Sequence, residues 1–117
     1  MNFQQAVQTC FRKYVDFTGR AARPEYWWFF LAYLLAGIVS GFIHEFLNYL
    51  VVLAFLLPLL AAGARRLHDV GRSGWFLLLG LIPLIGSLVL LYFMVQPSQP
   101  ESNEYGPPAG PALPAAF

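Results

Sequence analysis

Charge is scarce in this sequence. Only 11% of its 117 residues are Asp, Glu, Lys or Arg, against about 25% in an ordinary soluble domain. Hydrophobic residues make up 58%. A soluble chain this short buries too small a core to hide so much apolar surface. A bilayer removes the difficulty, because that solvent is itself apolar. The aromatic share of 17% agrees, since Trp and Tyr collect at membrane interfaces. Cysteine is nearly absent. Cys10 stands alone, so no internal disulfide forms, and its simplest place is the apolar face of a helix. Metal ligands are equally sparse. His44 and His68 are expected on opposite sides of the membrane, so no metal site is expected, and nothing asks for a cofactor. The net charge of +1 points neither to nucleic acid nor to an acidic partner.

What is present falls into blocks. In residues 1–23, Phe3, Val7, Phe11, Tyr14 and Val15 take one helical face. Gln4, Gln5, Gln8, Arg12, Lys13 and Asp16 take the other. Such a helix can lie in the headgroup layer; packing on the loops is the alternative. The first apolar run starts too late and is too long for a cleaved signal peptide, so the N-terminus is expected to be retained. Gly19 stops this helix. Pro24 suits the first turn of the next one, and Glu25 sits at its positive end.

Residues 25–43 and 46–64 are each about one bilayer thickness as helices. His44, Glu45 and Asn48 break them into a tight hairpin, with a kink expected at Pro58. Residues 65–74 are polar. An Arg or Asp at mid-bilayer costs about 2.5–3.5 kcal/mol, so this loop belongs at a membrane surface. Residues 75–95 are the third apolar run, and Pro83 and Gly86 interrupt its middle. One kinked span is the leading expectation. A re-entrant pair of half-helices is the alternative, and it would bring Asn103 and Tyr105 back beside the arginines. Residues 96–117 hold six of the nine prolines and read as a mobile tail. The expected fold is therefore all-α. It is an integral membrane bundle of three transmembrane segments within 24–95, preceded by a short amphipathic interfacial helix.

All seven Lys and Arg residues lie before the first span or between the second and third. Positive-inside bias then places the N-terminus and the 65–74 loop in the cytoplasm. Trp27, Trp28 and Trp75 fall at the same interface, as belt residues do.

Several motifs resemble one family. They are Phe17-Thr18-Gly19-Arg20, Arg23-Pro24-Glu25-Tyr26-Trp27 and the long run from Arg65 through His68-Asp69-Val70-Gly71-Arg72-Ser73-Gly74 to Trp75. Ile82-Pro83-Leu84-Ile85-Gly86 and Asn103-Glu104-Tyr105-Gly106-Pro107 follow. Together they are similar to the bacterial inner-membrane proteins grouped as domain of unknown function 805, over about residues 10–108. The resemblance implies a multi-pass plasma-membrane protein and no established activity. Members often carry a basic residue between the Asn and Tyr of the tail motif. Glu104 stands there in this chain, which argues against anion binding by the tail.

The candidate working surface is the cytoplasmic cluster. Arg20, Arg23, Arg65, Arg66 and Arg72, with Ser73 capping the third apolar segment, could bind anionic lipid headgroups. Glu25, His68 and Asp69 would support them. The plainer reading is that the arginines set topology and pair with Asp69 and Glu25. The leading functional expectation is a non-enzymatic protein that engages lipid headgroups or a membrane partner there. A subunit of an oligomeric transporter or channel is the runner-up, although no ionisable group lies near the midplane. A lipid-modifying enzyme using His68 and Asp69 is a third reading. Adjacent residues diverge on a helix, so no catalytic residue is assigned. Gly37 and Gly41 have the small-residue spacing that permits close helix contact or homo-oligomers.

Overall fold

Asn2 starts the first helix. In the computed structural model, which describes residues 2–108, its side chain accepts from the Gln5 N–H at 2.8 Å. Gln5 Oε1 accepts from the Asn2 N–H at 3.1 Å, so two orphan donors are satisfied reciprocally. Helix α1 runs Phe3–Arg12. It buries Ala6, Thr9 and Cys10 and sets Phe11 edge-on against Phe29 and Phe55, each at 5.3 Å. Phe3 and Phe11 on the helix stay partly exposed, as do Tyr14 and Val15 beyond its end. The helix thus has one edge in the bundle and an aromatic edge outside it, the arrangement an interfacial helix needs.

Helix α2 spans Arg23–Ile43, with Pro24 and Glu25 in its first turn. Helix α3 spans Glu45–Asp69. The two pack side by side and are joined through His44 alone, which is the C-cap of one and the N-cap of the other. Its Nδ1 accepts from the Phe46 N–H at 3.0 Å. Asn48 closes the hairpin by donating to the Gly37 carbonyl at 2.8 Å and to Ser40 Oγ at 3.2 Å. Leu34, Leu35, Ile38, Val39 and Phe42 on α2 and Leu50, Leu53 and Leu56 on α3 all face outward. In water that surface would cost on the order of 25 cal/mol per Å². Both helices are long and apolar enough to cross a membrane. Pro58 lies inside α3. The helix runs past the expected span end at residue 64, so Arg65, Arg66, His68 and Asp69 are helical rather than loop.

The third apolar run is not one continuous helix but two short ones folded back on each other. Gly74–Leu81 is a 3₁₀ helix of 8 residues, and Ile85–Met94 is helix α4, of 10 residues. At rises of about 2.0 and 1.5 Å per residue each covers roughly half of a 30 Å hydrocarbon core. Between them the chain reverses. Pro83 has no N–H with which to continue a helix. Leu84 adopts φ 63°, ψ −68°, and the Ile85 N–H bonds back to the Pro83 carbonyl at 2.7 Å. This is a γ-turn of the rare positive-φ kind. Gly86 completes the reversal, because a Cβ there would overlap the Leu79 carbonyl. Helix α4 therefore ends where the 3₁₀ helix began, at the arginine end of the bundle.

The tail follows it there. Residues 96–106 cross the end of α3 and are held by hydrogen bonds, where the sequence alone suggested mobility. The rest of the expected tail, residues 109–117, lies outside the described residues.

Candidate functional site

Arginines tie four separate pieces of chain to the C-terminal end of α3. Arg20, Arg65, Arg66, Asp69 and Glu25 are all buried there. Buried charge persists only when it is paired and hydrogen-bonded, and each of these has specific partners.

Asp69 is the centre. Its Oδ1 accepts from Arg20 Nε at 2.8 Å and its Oδ2 from Arg66 Nη1 at 2.8 Å. Oδ2 also accepts from the Ser98 hydroxyl. Arg20 then spends its other donors on backbone carbonyls. Nη2 reaches Gln99 at 2.6 Å and Asp69 at 3.3 Å, and Nη1 reaches Glu101 at 2.8 Å and Gly106 at 3.2 Å. Arg65 pairs with Glu25 and donates from Nε to the Asp16 carbonyl at 3.1 Å. The i, i+4 geometry allowed an Arg65–Asp69 pair, but Arg65 turns to α2 instead and Asp69 takes Arg66 at i, i+3.

Helix α4 ends on the same cluster. Its last carbonyls carry the negative end of the helix dipole and have no partners within the helix. Arg66 Nε donates to the Met94 carbonyl at 3.0 Å, and its Nη2 donates to that of Gln96. Arg23 Nη1 donates to the Val95 carbonyl at 3.2 Å. Trp27 Nε1 donates to Met94 at 3.2 Å. Cations are thus placed where the dipole favours them.

The turn after α3 needs glycine. Gly71 has φ 82°, and a Cβ on it would run into the Gln99 side chain. Gln99 N–H donates to the Asp69 carbonyl at 2.9 Å, and Asn103 Nδ2 donates to the His68 carbonyl at 3.0 Å. The tail folds back on itself through a pair of hydrogen bonds between Asn103 and Gly106. Tyr105 is thereby stacked on His68, with ring centroids 4.0 Å apart and planes within 1°. His68 Nδ1 lies 2.9 Å from the Gly19 carbonyl. The adjacent His68 and Asp69 thus serve different partners. Ser73 accepts from the Trp75 N–H at 3.2 Å, so it caps the 3₁₀ helix as its position suggested.

Outside the buried pairs, Arg72 is exposed and lies over the Phe93 ring, 4.9 Å from its centroid. Arg23 Nε and Arg65 Nη2 are buried and have no hydrogen-bond partner among the described residues. Asp16, just before the cluster, accepts from the Thr18 hydroxyl at 2.6 Å and the Thr18 N–H at 3.0 Å. Those bonds hold its carboxyl below the usual carboxylate range. Cys10 faces Glu25, 4.0 Å from Oε2. Burial, then the nearby carboxylate, pushes its thiol from an ordinary value near 9 up to about 12.

Gly37 and Gly41 are remote from this site. A Cβ on Gly37 would meet nothing within 4 Å, and one on Gly41 would touch only Asn48. Residue types alone had not revealed the roles of Trp27, Ser98 and Gln99. The one local signal was Gly71, a glycine inside a polar run.

Two long apolar helices, a hairpin of two short ones and a buried ionic knot at one end define a polytopic helical membrane protein. The chain belongs to the family described as Protein of unknown function (DUF805), which matches residues 14–107. It is 43% identical over 102 residues to Inner membrane protein YhaI of Escherichia coli K12, covering 81% of this chain and 86% of that one. It is 37% identical over 107 residues to Inner membrane protein YhaH of the same strain, covering 82% and 88%. No solved structure matches. With relatives of that description, the two apolar helices are those of a multi-pass inner-membrane protein.

Proposed function

We propose that this chain is a non-enzymatic inner-membrane protein that binds anionic lipid headgroups at its cytoplasmic arginine end. The observation that carries the reading is a surplus of cationic donors at the last turn of α4. Arg72 is exposed, and neither it nor Arg23, whose Nη1 bonds the Val95 carbonyl at the surface, has a carboxylate partner among the described residues. Arg20, Arg65 and Arg66 are occupied by Asp69, Glu25 and carbonyls. Their part is to build the surface, while Arg23 and Arg72 meet the ligand. A phosphodiester accepts charge-assisted hydrogen bonds from guanidinium groups, and an interfacial arginine adds about 1 kcal/mol of attraction to an anionic leaflet. The positive-inside arrangement of the seven basic residues supports the cytoplasmic assignment.

The test is retention of phosphatidylglycerol against phosphatidylcholine by the purified full chain, read by native mass spectrometry. Arg72→Ala and Arg23→Gln should each lower phosphatidylglycerol retention about fivefold, the equivalent of ~1 kcal/mol. Unchanged retention in the double variant, with insertion intact, sinks the reading.

A further inference from the structure

A cavity of about 610 Å³ opens between α3, the 3₁₀ helix and the returned tail. That is within the range of small-molecule sites, about 300–1,000 Å³. It is separate from the arginine knot, and no Lys or Arg lines it. Three residues of α3 form one wall. Leu60, Ala64 and His68 stand at i, i+4 and i+8, a stripe about 12 Å long running up the helix axis. Trp75 and Leu78 form the facing wall, and Tyr105 closes the arginine end. Ala64 and Gly74 are small enough for the 3₁₀ helix to approach α3 closely at the base of this space. A Cβ on Gly74 would come within 3.1 Å of the Ala64 Cβ. Trp75 is 79% exposed and Leu78 55%, so the pocket opens sideways into the lipid phase rather than into the bundle.

Its polarity is graded. The deep end is Leu60, in the membrane-crossing part of α3. The interfacial end is His68, beside Ser73 and Tyr105. His68 Nδ1 faces the Gly19 carbonyl at 2.9 Å. A carbonyl oxygen only accepts, so Nδ1 carries the proton, and in that tautomer Nε2 is an acceptor. Nε2 lies beside Gly74, 3.4 Å from where a Cβ there would stand, and it has no hydrogen-bond partner among the described residues. The Tyr105 stack fixes the ring plane. The site therefore offers an apolar slot whose hydrogen-bonding groups, the His68 ring and the Ser73 and Tyr105 hydroxyls, gather at its interfacial end, and no Lys or Arg lines it.

We propose that this pocket holds one acyl chain of a neutral bilayer lipid whose head carries a free hydroxyl, donated to His68 Nε2. Diacylglycerol has that chemistry. The apolar slot takes the chain, His68 Nε2 takes the hydroxyl, and the lack of a lining cation gives no preference to a phosphate. The inference does not rest on the anionic-headgroup reading, which uses Arg23 and Arg72.

The test uses the full chain in nanodiscs and a diacylglycerol carrying a photoreactive diazirine in its acyl chain. Labelling should map to the peptides holding Leu60–Ala64 and Trp75–Leu78, and excess unlabelled diacylglycerol should compete for it. Leu60→Trp and Leu78→Trp add bulk from partly exposed positions, which the fold should tolerate, and both should abolish the competed fraction. Capping the probe's hydroxyl as a methyl ether should weaken labelling about fivefold, the loss of one neutral hydrogen bond. Uncompeted labelling spread equally over the outer face of α2 would overturn the site. So would equal labelling by the methyl ether or stronger labelling by a phosphatidylglycerol probe.

Discussion

Arg20 and Asp69 are 49 positions apart in the chain, yet Nε and Oδ1 meet at 2.8 Å with both side chains fully buried. Through that pair the segment before α2 is joined to the end of α3. Through the remaining donors of Arg20 both are joined to the tail. The carboxylate of Asp69 is shared with Arg66, so one anion neutralises parts of two cations.

Removing that anion leaves two guanidinium groups buried without it. Asp69→Ala should destabilise the protein by about 3–5 kcal/mol, as loss of one partner of a buried ion pair does. Thermal unfolding in a mild detergent measures it. Residues 96–106 should become protease-sensitive in the same variant. A drop below about 1 kcal/mol, the scale of an exposed pair, would mean the knot carries little of the fold.

Gly86→Ala tests the reversal. Inside an ordinary helix this change gains roughly 0.5–1 kcal/mol. Here the new Cβ overlaps the Leu79 carbonyl, so the sign should invert and the unfolding midpoint should fall. A midpoint that rises would show that the 3₁₀ helix and α4 do not meet this closely.

The Cys10 thiol should be inert while the protein is folded. It is fully buried, and its pKa is raised to about 12, so almost no thiolate is present at pH 8. Maleimide should label it only after denaturation. The sign of the pH effect follows from linkage. The folded pKa lies above the unfolded one, so this group's stabilisation is complete below about pH 8.5. It is lost as pH rises toward about 12. Rapid labelling under native conditions would contradict the burial.

The side of the tail is open to a direct test in a Cys10→Ser background. Ser102 and Glu45 are both exposed and lie at opposite ends of the α2–α3 hairpin. Ser102→Cys should react with a membrane-impermeant maleimide in inverted vesicles only, and Glu45→Cys in spheroplasts only. Labelling of both from one side would refute the re-entrant arrangement with a cytoplasmic arginine end.

Much of this was legible in the residues. The runs 25–43 and 46–64 became α2 and α3 because apolarity and length are local properties. The hairpin at His44 and the cap at Ser73 followed from short-range hydrogen bonding. The arginines, Glu25, His68 and Asp69 stood out as charge in an apolar chain, and they do gather at one end. Their partners were harder to read. Arg65 was within reach of Asp69 along the helix and chose Glu25, because α2 brings that carboxylate to the buried side of α3.

Sequence by itself determined the apolar segments, the all-helical class and the confinement of every basic residue to one end, since each depends on composition within a few turns. Tertiary structure decided whether residues 75–95 run on as one helix or fold back, and so what the arginines bind. Pro83 and Gly86 permit a kink as well as a reversal. The choice depends on whether the freed carbonyls of α4 and the tail find donors, and Arg20, Arg23 and Arg66 supply them from positions more than 25 residues away. Charge scarcity, the first property of this chain, therefore has its explanation in space. Among its few cations, those three hold α4 and the tail against α3.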